Sequence, residues 1–257
     1  MIQKNERRRF ASNLSDSQWA IIKPLLPPPG HKSKWEKREL IDADLYFVDN
    51  GCKWRNQTHD FPPYTTVANF YYAAIRSGLW EKIRAALVER MRTDAGRNPS
   101  PSYAINDSQS VKTTYAAEER GIDGGNTKGR KRHIVVDTMG NLLAVVVHAA
   151  NIHNTKAGIL AARDAYRKCP SIQRFCAHAG YRKTFEQDIS SEPGLGIDIS
   201  VRIKPQWEVL PKRWIVESLA WLNNSRRLSK DYEISVHSVQ AVCIIAAFRT
   251  LLKLSLS

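Results

Sequence analysis

His133-Ile134-Val135-Val136-Asp137-Thr138-Met139-Gly140-Asn141-Leu142-Leu143-Ala144-Val145-Val146-Val147-His148 sets two apolar, β-branched runs on either side of Met139-Gly140-Asn141. Such runs around a glycine turn read as an antiparallel hairpin. Upstream, Tyr103-Ala104-Ile105-Asn106-Asp107 reads as a short strand. Downstream come a helix over Thr155–Lys168, a strand over Arg174–Ala177 and another over Ile199–Ile203. Amphipathic helices follow over Lys212–Lys230 and Ser238–Leu254. Strand, hairpin, helix, strand, strand, helix predicts a mixed α/β fold, a sheet covered by helices.

The chain before this region has a different period. Ser15-Asp16-Ser17-Gln18 caps a helix bearing Trp19, Ile21, Ile22 and Leu25, which Pro24 keeps short or kinked. Lys37–Asn50 is a second helix with Gly51 as its C-cap. His59–Pro63 is a turn, Tyr64–Ser77 a third helix closed by Gly78, and Leu79–Thr93 a fourth. Short helices joined by tight turns in a basic protein suggest a helix-turn-helix-like module. A small helical bundle without DNA contact gives the same pattern. Residues 94–102, with two prolines and a glycine, read as a linker between a helical module (1–93) and a mixed α/β domain (103–257). The competing reading is an ordered loop inside one larger domain.

The formal net charge is +14 over 257 residues, and 42% of residues are apolar. That excess favours a polyanionic partner, and that apolar content excludes wholesale disorder. Cys52, Cys169, Cys176 and Cys243 form no C-x-x-C pair and fit reduced thiols in a cytosolic protein. The start is polar and basic, unlike a secretory signal. The run Ala241–Phe248 is too short to span a bilayer, so no membrane association is expected. The expected location is cytoplasmic and nucleoid-associated.

Two stretches carry candidate chemistry. In Asp107-Ser108-Gln109-Ser110-Val111-Lys112-Thr113-Thr114 an aspartate ends a strand, where a carboxylate caps a turn or serves a hard divalent ion. From Lys212 to Lys230, Glu217 is the lone acid among five cations: Lys212, Arg213, Arg226, Arg227 and Lys230. One carboxylate on a basic face suits metal-dependent cleavage of a phosphodiester. Lys128-Gly129-Arg130-Lys131-Arg132-His133 reads as a cationic loop that follows a phosphate backbone, or as a solvated surface loop. The candidate DNA contacts are Lys128, Arg130, Lys131, Arg132, Arg213, Arg226 and Arg227.

Taken in order, several segments resemble the insertion-sequence-five family of DDE transposases. They are Asp107–Thr114, Lys128–His133, Val147-His148-Ala149-Ala150-Asn151-Ile152, Ala179-Gly180-Tyr181-Arg182 and Leu210-Pro211-Lys212-Arg213-Trp214-Ile215-Val216-Glu217. Leu14–Trp19, Gly51–Arg55 and His59–Pro63 resemble that family's amino-terminal module. The resemblance covers roughly residues 10 to 255. It implies a ribonuclease-H-like catalytic domain in which three acids hold two Mg²⁺ ions, with Mn²⁺ as a substitute. It further implies cleavage at element ends and joining of the 3′ hydroxyl to target DNA. The implied partners are double-stranded terminal inverted repeats and target DNA, bound by a homodimer.

By that resemblance the catalytic positions are Asp107, His178 and Glu217, with Asp107 and Glu217 as metal ligands. The family's second acid opens a signature of Asp, any residue, Gly, Tyr, Arg; this chain has His178-Ala179-Gly180-Tyr181-Arg182. A neutral imidazole offers one nitrogen where a carboxylate offers two anionic oxygens, and it suits Zn²⁺ better than Mg²⁺. The family also carries a basic residue after the glutamate that is missing before Ser218. Dropping one residue rotates the following helix by about 100°. Both departures imply an impaired copy. A catalytically silent DNA-binding remnant and a metal-dependent nuclease without strand transfer are the competing readings.

Overall fold

The computed structural model describes residues 8–28, 34–192, 194–200, 222 and 224–254. Helix α1 (Asp16–Ile22) starts with a reciprocal capping box. Ser15 Oγ accepts from the Gln18 N–H, and the Gln18 side chain accepts from the Ser15 N–H. Such a cap contributes about 1 kcal/mol. Pro24 sits in a 3₁₀ turn, Lys23–Leu25, that ends the helix. Helix α2 (Lys37–Asn50) ends on Gly51, whose φ is 66°. A Cβ on Gly51 would also meet the Arg226–Arg227 backbone at 3.3 Å, so glycine is required there twice over. Helices α3 (Tyr64–Arg76) and α4 (Leu79–Asp94) follow, joined through Gly78.

The sheet strands are β1 (Tyr103–Lys112), β2 (Gly121–Ile122), β3 (Lys128–Asp137), β4 (Leu142–Ala149), β5 (Arg174–His178) and β6 (Gly196–Ser200). Helix α5 (Asn154–Lys168) connects β4 to β5, and α6 (Thr184–Ser191) connects β5 to β6. The principal strands lie in the order β4-β3-β1-β5-β6. β1, β3 and β4 form an antiparallel meander, whereas β5 and β6 run parallel to β1. A meander followed by two helix-crossed parallel strands is the ribonuclease-H-like arrangement. The described part of the final region holds α7 (Arg226–Ser229) and α8 (Val236–Leu254).

Leu142–Val145 is buried throughout because α5 and α8 both pack on β4. One continuous core runs from Leu14, Trp80 and Leu87 through Val135 and Phe175 to Phe248. The helices before Asp94 therefore share one core with the sheet, and α2, α3 and α4 pack on α8, which packs on β4. The 94–102 connection is tied down on both sides. Arg92 Nε donates to Asn98 O at 2.8 Å, and Ser171 Oγ donates to Pro101 O at 2.9 Å. Helix α8 is long and apolar enough by composition to cross a membrane, but 67% of its most apolar window is buried inside the protein.

Four expectations change. β1 does not stop at Asp107; it continues to Lys112, because β3 supplies ladder partners as far as Gly129. Lys128–His133 is not a loop but the first half of β3, paired on both edges. The strand expected at Ile199–Ile203 begins earlier, at Gly196, and is described as far as Ser200; 201–203 lie outside the described residues. The stretch to Lys230 is not one helix. Ser225 is extended, with ψ 112°, and α7 begins after it.

Candidate active site

Asp107 and His178 come together where a ladder ends. β1 and β5 pair in parallel up to Asn106 and Ala177, so the next residue on each strand projects beside the other. His178 Nε2 lies 3.4 Å from Asp107 Oδ1, and each side chain is one-third exposed. Asp107 Oδ1 also accepts from the Ser108 N–H at 2.7 Å.

His178 is held by its own turn. Its Nδ1 accepts from the Gly180 N–H at 2.9 Å. A Cβ at Gly180 would come within 2.5 Å of His178 Cε1, so the ring folds over the turn because residue 180 has no side chain. The Tyr181 ring meets the imidazole edge to face at 4.8 Å.

Behind this pair lies a buried cluster that the sequence reading did not single out. Tyr181 Oη is 2.9 Å from His133 Nδ1, and His133 stacks on His148 at 4.9 Å. Burial, then the neighbouring His148, hold the His133 imidazole neutral, with its pKa lowered to about 3. Burial likewise raises the Tyr181 phenol well above its usual range. Strand alternation gave no signal for it, because β3 is buried on both faces from Arg132 to Asp137.

The basic positions divide. Lys128 and Arg226 are exposed, and Lys131 is partly so, its Nζ donating to Asn154 Oδ1 at 2.8 Å. Arg130 and Arg132 are buried, which corrects their reading as surface DNA contacts. Arg130 Nη1 pairs with Asp231 Oδ2 at 3.2 Å and donates to Glu233 O at 3.0 Å. Arg132 Nη1 donates to Leu228 O at 2.9 Å. Arg227 is corrected likewise. It pairs with Glu233 at 2.6 Å, donates to Cys52 O at 2.8 Å and stacks on Phe47 at 3.7 Å. These three guanidinium groups fasten the 228–234 segment to the sheet and to α2. Arg213 and Glu217 lie outside the described residues.

Residues 98–251 match the profile of the family described as "Transposase DDE domain". The chain belongs to the DDE transposases. Residues 14–84 match a second family, described as "Putative transposase of IS4/5 family". A search of curated proteins finds no match. Among solved structures, the "Crystal structure of the Mos1 Strand Transfer Complex" is similar at 10% identity, covering 88% of this chain and 78% of that chain. The TM-score of that match is 0.31. DDE transposases are polynucleotidyl transferases that act on DNA, and their catalytic domains use divalent metal ions.

The donor set of this DDE transposase fits such ions at one position and not at the other. Asp107 offers the oxygens that a hard cation prefers. His178 offers no oxygen, and its Nδ1 is already engaged by Gly180. Among the described residues no group of three or more His, Cys, Asp or Glu side chains could hold a metal ion.

Proposed function

We propose that this chain is an insertion-sequence transposase. Its helical module, residues 1–93, and its exposed cations bind the terminal inverted repeats and target DNA, as a homodimer on the duplex. In this reading Asp107 and Glu217 are the carboxylates that serve the two Mg²⁺ ions of end cleavage and 3′-end joining. His178 is the weak member, and the copy is impaired. What supports the reading is the 3.4 Å approach of His178 to Asp107, an imidazole at the position that this reading gives to a second carboxylate. The same contact favours a second reading, a DNA-binding transposase that occupies element ends without cutting them.

The test is cleavage and strand transfer on the inverted repeats that flank the element, in Mg²⁺ and in Mn²⁺. We expect end-specific binding with little or no joining by the natural chain, and higher activity from His178→Asp. Loss of a metal-bridging carboxylate removes several kcal/mol of transition-state stabilisation, roughly a thousandfold or more in rate. Robust Mg²⁺-dependent joining by the natural chain would overturn the impairment. Absence of any preference for the repeats would overturn the transposase reading.

A further inference from the structure

We propose that His178 is a cap on Asp107 and not a metal ligand: the imidazole presents an N–H to the carboxylate oxygen that a divalent ion would use. This rests on the reading of Asp107 as a catalytic carboxylate and adds how its neighbour acts on it.

His178 Nδ1 accepts the Gly180 N–H at 2.9 Å, so Nδ1 carries a lone pair and no proton. A neutral imidazole with a bare Nδ1 bears its hydrogen on Nε2. Nε2 is the atom that faces Asp107, 3.4 Å from Oδ1. A metal ligand must offer a lone pair, and in metal sites the other ring nitrogen is the N–H donor. Here the arrangement is the reverse. Moving the proton to Nδ1 would point it at the Gly180 N–H, donor against donor.

Two neighbours favour this pose of the ring. The space it occupies is open because residue 180 is glycine, and the Tyr181 ring meets it edge to face at 4.8 Å. Tyr181 is in turn held by its contact with His133 at 2.9 Å. The turn that would place an aspartate for metal binding therefore places the imidazole Nε2 beside Asp107.

The sign of one substitution separates a cap from a ligand. Mn²⁺ binding to the full chain is measured by electron paramagnetic resonance, with circular dichroism as a check on folding. A cap predicts that His178→Ala binds Mn²⁺ more tightly than the natural chain, and that His178→Asp binds it tighter still, by roughly a hundredfold or more over the natural chain. A ligand predicts that His178→Ala binds it less tightly, which would overturn the proposal. Equal binding by all three would overturn it as well. Because a variant can fail to fold, imidazole ¹⁵N resonances of the natural chain are read in parallel. An Nε2–H tautomer unchanged by MgCl₂ supports the cap, and an Nδ1–H tautomer or metal-ligated His178 refutes it. Binding to inverted-repeat DNA in the same preparations reports on the transposase reading separately.

Discussion

Arg130 on β3 and Asp231 after α7 form an ion pair at 3.2 Å with both side chains fully buried. Burial outweighs the Arg130 charge at Asp231 and leaves its carboxyl pKa above the ordinary value. Such a pair adds little net stability, but removing one partner strands the other in a low dielectric. Arg130→Ala should destabilise the protein by about 3–5 kcal/mol. Thermal melts would show it. Loss of DNA binding by this variant without a fall in melting temperature would contradict the structural role.

Lys128 and Arg226 are exposed, so their effect should be of the opposite kind. Charge reversal at either should leave the melting temperature nearly unchanged. It should weaken duplex binding for all sequences alike and reduce the salt slope by about one for each phosphate that is no longer neutralised. Fluorescence anisotropy against salt concentration measures both. An affinity indifferent to salt would rule out a backbone-following surface.

His133 makes stability depend on pH below neutrality. Its folded pKa is about 3, against about 6.5 in an unfolded chain. The unfolded state therefore binds more protons between these values. The stability contribution is fully present above pH 6.5 and is lost as pH falls toward 3, at up to about 1.4 kcal/mol per pH unit. Denaturant unfolding between pH 7 and 4 should show this slope, and His133→Asn should reduce it.

Lys183 has φ 69° and ψ −108°, a backbone conformation that an L side chain adopts at a cost. It lies directly after the His178–Arg182 segment and opens α6. Lys183→Gly should raise stability by roughly 1 kcal/mol. A lower melting temperature for this variant would show that the lysine side chain contributes more than the backbone costs.

Much of the local structure was legible in the sequence because its causes are local. The Ser15–Gln18 box, Pro24 and Gly51 each act within a few residues, and the observed ends of α1 and α2 follow from them. The hairpin around Gly140 was legible for the same reason. Asp107 and His178 were singled out by their motifs. Their motifs did not carry their separation.

Partners distant in sequence decided the rest. Arg130, Arg132 and Arg227 look like surface cations until Asp231, Glu233, Leu228 O and Cys52 O arrive from elsewhere in the chain. β1 extends past Asp107 because β3 is there to accept its hydrogen bonds. Composition alone determined a basic, foldable chain, and the ordered motifs determined its family. Tertiary structure decided which cations face water and which nitrogen of His178 faces Asp107. Those depend on strand register and on a turn over Gly180, and neither is a property of any one segment.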